Sequence, residues 1–223
     1  MSSKTSQLPS LSFERGFVDS GSRFIIGVDE VGRGSIAGPV AVGVALLDFK
    51  ESLSPWPEKL KDSKLISEKT RETIYPDVAN WVRGWAVGMS SAQEIEQIGI
   101  VGALALAGSR ALEELLTEST LRSEIASDGV QLILDGSHNW LGSKAMGIPV
   151  VTKTKADRDC VSVAAASVLA KVTRDRLMVE LDASHHGYDL ASNKGYASAS
   201  HIEGLKKIGV SPIHRTSWLS KII

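Results

Sequence analysis

The sequence predicts an α/β fold in which a mixed five-stranded sheet carries helices on both faces. Three observations lead there. Three apolar runs stand close together near the start, the spacing of an antiparallel meander, and two more follow among helical patterns of the kind that join parallel strands. A long helical pattern with consecutive small residues, Ala164, Ala165, Ala166 and Ser167, can lie close against such a sheet. The chain has 223 residues, 43% hydrophobic and 23% charged, which are ordinary globular values for a domain able to bury a large core.

Taken in order, residues 1–22 are Ser-rich with little apolar periodicity and are expected to form an N-terminal tail. Residues 24–29 are an apolar run ending in acid and read as a buried strand. Gly32, Gly34, Gly38 and Pro39 punctuate a tight connection to a second strand over 40–48. Residues 50–66, with Pro55 and Pro57, read as loop. Ser67 caps a helix expected over 68–80, which Pro76 should disturb. Residues 81–89 give the third strand, 92–97 and about 99–118 two helices, and 131–135 and 149–153 the last two strands. A long helix is expected from Asp157 to about Leu181. The main body is thus expected over 23–183, with a small C-terminal helical extension over 184–223.

One cysteine excludes an internal disulfide and a Cys-rich zinc site. The longest uncharged stretches run to about 14 residues, such as 34–47, short of the roughly 20 that a membrane helix needs. The polar N-terminus has no apolar signal core. A cytoplasmic monomer with no membrane partner is expected. Net charge is −1 but uneven, with residues 48–128 at −5 and 129–223 at +4. A basic C-terminal half can face a polyanion or can simply be solvated surface.

Several motifs fail on inspection. Gly32 to Gly38 has the glycines of a dinucleotide loop, but the third comes one place late, and Pro39 and a strand follow where a helix should begin. There is no GxxxxGK[ST], HExxH or GxSxG. His185-His186 lacks a ligand spacing and reads as surface loop. Cys160, near a predicted helix start, reads as a small packed hydrophobe.

The acids are more informative. Asp29 and Glu30 close the first strand, Asp135 closes the fourth, and Asp157 opens the long helix. Carboxylates meeting at the rim of a core repel one another, so their pKa values rise or they take up cations. Hard oxygen donors favour Mg²⁺ or Mn²⁺, and two such ions can activate a water and stabilise the leaving oxygen of a phosphodiester. Turn-forming or capping roles fit the same positions. Asp29 and Glu30 also point to opposite faces of an ideal strand, so both reach one site only if the chain turns there.

Gly27-Val28-Asp29-Glu30-Val31-Gly32-Arg33-Gly34, followed by Ala37-Gly38-Pro39-Val40, resembles the signature opening of type 2 ribonuclease H, the bacterial ribonuclease HII family. Asp62-Ser63-Lys64, Asp135-Gly136, Lys155-Ala156-Asp157 with the helix through Asp175, Gly195-Tyr196 and His214-Arg215-Thr216-Ser217-Trp218 follow in the family's order, so the resemblance spans about residues 24–218. It implies a ribonuclease H-like fold and an endonuclease. Such an enzyme hydrolyses the RNA strand of RNA–DNA hybrids and nicks duplex DNA 5′ of embedded ribonucleotides by two-metal-ion catalysis with Mg²⁺ or Mn²⁺, leaving 3′-hydroxyl and 5′-phosphate ends. By the same resemblance Asp29, Glu30, Asp135 and Asp157 are catalytic and metal-binding. Gly32, Arg33 and Gly34 contact the ribose 2′-hydroxyl through their backbone, while Lys64 and Tyr196 bind substrate. Before the resemblance, Tyr196 reads equally as a buried core residue. Ala197-Ser198 stands where the family has glycine and threonine, Asp159-Cys160 replaces its more usual residues, and Trp218 stands where phenylalanine is common; these bear on junction preference and groove shape. A non-catalytic nucleic-acid-binding domain and another nuclease or resolvase on the same fold are the competing readings.

Overall fold

The computed structural model describes residues 8–50 and 53–222. Five strands, β1 (Phe24–Val31), β2 (Val40–Asp48), β3 (Gly84–Ser90), β4 (Val130–Asp135) and β5 (Val150–Lys153), form one sheet in the order β3-β2-β1-β4-β5. β1 pairs antiparallel with β2, and β2 with β3; β4 lies parallel to β1, and β5 parallel to β4. This is the expected meander extended by two parallel strands. Each strand is dominated by apolar residues with polar or glycine punctuation at its ends, and the central ones are buried on both faces.

Alternation along the strands sorts the core into layers. Phe24, Ile26 and Val28 of β1, with Val40, Val42, Val44 and Leu46 of β2, face α3 (Ala92–Leu115) and α4 (Ser119–Asp128). The opposite faces of β1 and β2 meet α6 (Val161–Asp182), with α2 (Glu68–Trp81) packed outside it. The run of small residues in α6 does what its composition predicts. A Cβ on Gly27 would come within 2.2 Å of the Ser162 backbone, so only glycine lets helix and sheet approach this closely. A smaller cluster, including Ile36, Ala37, Met178, Tyr188 and Leu205, joins the β1–β2 connection to α7 (Leu190–Asn193) and α8 (Ala199–Ile208).

Four local differences from the sequence reading have physical reasons. Within the stretch expected as tail, Ser12–Val18 forms a helix, α1, held by tertiary contacts rather than by amphipathic pattern; residues 1–7 lie outside the described residues. Helix α2 continues through Pro76 because Ile74 and Val78, on either side, are both buried against the α6 layer. Helix α4 has little apolar periodicity; it buries only Leu121 and Ile125 and is tied by Arg23 to Glu124 and Asp128. The long helix is broken at Cys160 into a single turn, α5 (Ala156–Asp159), and α6. The expected interruption between 97 and 99 is present: Gly99 has φ 72° and ψ 164° within α3. Among the described residues α3 is the one helix long and apolar enough to cross a membrane, and 44% of its most apolar stretch is buried inside the fold.

Candidate active site

The parallel pairing of β1 and β4 sets the register of the acids. Val28 stands opposite Leu134, so Asp29 and Asp135 follow side by side at the carboxyl ends of neighbouring strands, both on the α6 face. Asp157 comes to them from α5, whose Ala156 amide donates to Asp135 Oδ1 at 2.7 Å. Glu30 faces the other way, as ideal alternation requires. It nevertheless sits at the strand end, where it and Asp135 line one cleft of about 600 Å³ with Arg33, Val101, His138 and Trp140. Asp29 and Asp157 are buried.

The charges of these groups act on one another. Burial pushes Asp29 well above the ordinary carboxylate range, and Glu30 and Asp135 push it further, against Lys64 and the Ser167 hydroxyl. Glu30 is raised by burial and by Asp135, with Arg33 opposing. Asp157 is raised by burial, then by Asp135 and Asp62. The compensating cation is Lys64, whose Nζ lies 3.4 Å from Asp157 Oδ2. Partial burial works against its charge, but Asp29 and Asp157 overcome that and raise its pKa. Lys64 is held in place by its neighbour: Asp62, fully buried, accepts from the Lys64 amide at 2.9 Å and from Arg158 Nε at 3.3 Å. Among the described residues no three metal-binding side chains are already gathered at ligating distance; Asp135 commits one oxygen to Ala156 and Asp157 one to Lys64. An all-oxygen donor set, mutually repelling and partly neutralised by a flexible ammonium, fits a hard divalent cation.

Beside the acids, Gly32 to Gly38 is held from beneath by two buried arginines. Arg215 donates to the carbonyls of Arg33 at 2.8 Å, Gly32 at 2.7 Å and Gly38 at 3.2 Å. Arg174 donates to Pro39 O at 2.8 Å, Lys194 O at 2.9 Å and Ser35 Oγ at 2.9 Å. With these oxygens turned inward, the Arg33 and Gly34 amides donate to no group among the described residues. Gly32 is required by packing, since it has φ 78° and a Cβ there would meet Arg174 Nε at 2.1 Å. Gly34 is not, for a Cβ there would meet nothing within 4 Å. Tyr196 stands next to this loop, because Gly195 O accepts from the amides of Ile36 and Ala37 at 2.8 and 3.1 Å. Its ring, 39% exposed and 5.8 Å from the Arg174 guanidinium, is not a core tyrosine.

A family model described as Ribonuclease HII matches residues 26–221. The Ribonuclease HII of Streptomyces avermitilis is 42% identical over 211 residues, 94% of this chain and 83% of the relative. The chain belongs to the ribonuclease HII family. The Ribonuclease HII of Caulobacter vibrioides is 39% identical over 194 residues, covering 87% of this chain and 83% of the relative. Among solved structures, the ribonuclease H2 of Pyrococcus horikoshii OT3 is similar with a TM-score of 0.70 at 26% identity, over 89% of this chain and 96% of that one. As a ribonuclease HII, the chain is a hydrolase of the ribonuclease H class with the mixed α/β sheet that the sequence predicts.

The sequence reading placed Arg174 and Arg215 within motifs but did not anticipate their burial, since a lone arginine normally reads as surface. Nor did it single out His201, or expect Ser198 to cap α8 by accepting from the His201 amide at 3.1 Å. In this ribonuclease HII the two histidines form a neutral relay behind Tyr196. His201 Nδ1 donates to Tyr196 O at 2.9 Å, so its Nε2 accepts from His214 Nε2 at 3.1 Å, and His214 Nδ1 accepts from the Ser211 amide at 3.1 Å. Burial lowers both, His214 to about 4. A histidine depressed in the folded state contributes stability above its unfolded value of 6.5 and loses it as pH falls toward about 4. The unfolding temperature is therefore expected to fall between pH 6.5 and 4, and less so in His214→Gln. Parallel thermal curves for the two proteins across that window would show that other groups titrate.

Proposed function

We propose that this ribonuclease HII hydrolyses the RNA strand of RNA–DNA hybrids and nicks duplex DNA on the 5′ side of an embedded ribonucleotide, using Mg²⁺ or Mn²⁺ and leaving 3′-hydroxyl and 5′-phosphate ends. The observation that carries this reading is the meeting, at one end of the sheet, of four charge-coupled carboxylates with a glycine loop whose Arg33 and Gly34 amides have no acceptor among the described residues. A pair of bound divalent ions would supply Lewis acidity to a water and to the departing oxygen. Asp29, Glu30, Asp135 and Asp157 are the residues to hold them. Lys64, with a side chain 63% exposed, would offer its ammonium to a phosphate oxygen beside them.

Specificity is the task of the loop. The 2′-hydroxyl is what separates RNA from DNA at a given sugar. The unpartnered amides of Arg33 and Gly34 are donors for it, and the open space above Gly34 lets a sugar come close. Tyr196 adds a flat face and a hydroxyl beside them. A purely binding domain is disfavoured, since acidic side chains gathered at one site with no bound cation do nothing to attract the phosphates that such a domain must hold.

The test is a panel of labelled duplexes with Mg²⁺ or Mn²⁺: all-DNA, RNA–DNA hybrid, and DNA with one ribonucleotide. Cuts confined to the last two, with 5′-phosphate ends, are expected. Cutting of plain DNA would favour a nuclease of another specificity, and no cutting at all a binding domain. Within the same panel Tyr196→Ala should lower the rate at the single ribonucleotide by about 10-fold or more, on the scale of one lost stacking contact, with a smaller change in unfolding temperature. An unaltered rate on that substrate would remove Tyr196 from recognition.

A further inference from the structure

Helix α6 begins without a cap of its own, for Cys160 stands at the N-cap position and makes no side-chain hydrogen bond there. The missing acceptor comes from 148 residues away. Glu14 of α1 is fully buried, and its Oε1 accepts from the Ser162 amide at 3.0 Å and the Ser162 hydroxyl at 2.9 Å. Just before it, Ser10 runs alongside Cys160 in a short parallel bridge, its amide donating to Asp159 O at 3.0 Å. Phe13 and Phe17, edge to face at 5.3 Å, pack against the cluster of Ala156, Cys160 and Val163. Lys153 lies 5.4 Å from the Phe13 ring and holds Asp159 at 2.5 Å.

All these contacts converge on the break between α5 and α6. Helix α5 is a single four-residue turn, too short to fix its own geometry cooperatively. It carries Asp157. On one side it is held by Asp135 through the Ala156 amide; on the other it is held by the segment around Glu14. That segment lies outside residues 26–221, where the family match falls.

We propose that residues 10–17 are a positioning element of the active site, and that Glu14 is the positioning residue through which they set Asp157. This rests on the reading that Asp157 is one of the carboxylates that hold the divalent ions. Without the Glu14 oxygen, the first amides of α6 turn elsewhere, the α5–α6 break loosens and the Asp157 carboxylate swings away from Asp135. Misplacement of a reacting group by about 1 Å can cost ~10²-fold in rate. The buried Glu14 has a raised pKa, burial being the main cause, so glutamine is a close mimic that keeps the accepting oxygen.

The experiment compares Glu14→Ala, Glu14→Gln and Asp157→Asn with Leu121→Ala, a core change in α4 on the other face of the sheet. Three quantities are read at a temperature where every variant is folded: kcat and KM on an RNA–DNA hybrid, and the affinity for Mn²⁺ alone by calorimetry. Glu14→Ala is expected to lose about 10- to 100-fold in kcat with KM little changed, and about 10-fold in Mn²⁺ affinity, the scale of a lost outer contact to a metal ligand. Glu14→Gln should keep both within about threefold, and Leu121→Ala should keep both while losing stability. Wild-type kcat and Mn²⁺ affinity in Glu14→Ala, beside an inactive Asp157→Asn, would overturn the positioning role alone; an active Asp157→Asn would overturn the underlying site as well. If Glu14→Ala does not fold, Ser10→Pro deletes the amide bonded to Asp159 and is expected to show the same kcat loss. Unchanged kinetics there would equally refute the proposal.

Discussion

Asp29→Asn is expected to abolish cleavage of an RNA–DNA hybrid while raising the unfolding temperature measured without metal. The two effects have one cause. Asp29 is buried beside Glu30 and Asp135, and its ionisation is opposed by burial and then by their charges. A carboxyl group whose folded pKa lies above its unfolded value of 3.8 destabilises the fold progressively as pH rises through that interval. The amide cannot ionise and escapes this cost. The stability gap in favour of the variant should therefore widen as pH rises above about 4, where the unfolded aspartate ionises and the buried one resists. Added Mn²⁺ should reverse the gap, because a ligand that binds the folded state stabilises only the protein that still binds it. Activity should fall by about 10³-fold or more, the scale of losing a group that stabilises the developing charge. Calorimetric scans with and without Mn²⁺, paired with hybrid cleavage, decide the matter. A variant both fully active and unchanged in stability would end the assignment of Asp29.

Arg215→Met carries the second large effect. The guanidinium holds three carbonyls of the glycine loop and has no carboxylate partner in contact among the described residues; burial and the charge of Arg174 pull its pKa down to about 9, so it remains charged at neutral pH. Methionine fills much of the volume but leaves the Arg33 and Gly38 oxygens without a donor, at about 1–3 kcal/mol each, while Gly32 O keeps the Ser35 hydroxyl at 2.8 Å. Removing a buried charge returns part of that. A net loss of roughly 2–4 kcal/mol, or about 4–16 °C in unfolding temperature, is expected. Because the same three bonds hold the loop that carries the Arg33 and Gly34 amides, cleavage at a single ribonucleotide should drop by about 10²-fold in protein that is still folded. Arg215→Lys should fall between the two, since one ammonium cannot reproduce the planar fork. Full activity in folded Arg215→Met would show that the loop keeps its shape unaided.

The sheet was legible because β1, β2 and β4 are Val-, Ile- or Leu-rich runs closed by Asp or Gly, and because the connection lengths distinguish a meander from parallel crossovers. The positions of Asp29, Glu30, Asp135 and Asp157 were legible for the same reason, as acids at the ends of apolar segments. What brings Asp29 beside Asp135 is the Val28–Leu134 register, which no local pattern encodes. Helix α1 was illegible: its apolar residues are few, and its hold on the fold comes from Glu14 meeting Ser162. The break at Cys160 was hidden because neither glycine nor proline marks it. Arg174 and Arg215 were hidden for a different reason. Guanidinium groups buried on backbone carbonyls leave no periodic signature, and charge alone points them to the surface.

The bond from Arg215 to Gly32 spans 183 residues, and this separation has a consequence for how the protein comes into being. At a ribosome moving roughly 5–20 residues per second, that interval takes about 10–40 s to translate. The strand bearing Asp29 can pair with β2 early, but the loop beside it waits for Arg215 to be made before its carbonyls find their partner. A nascent chain thus carries its strand-end carboxylates before the loop beside them has its fixed shape.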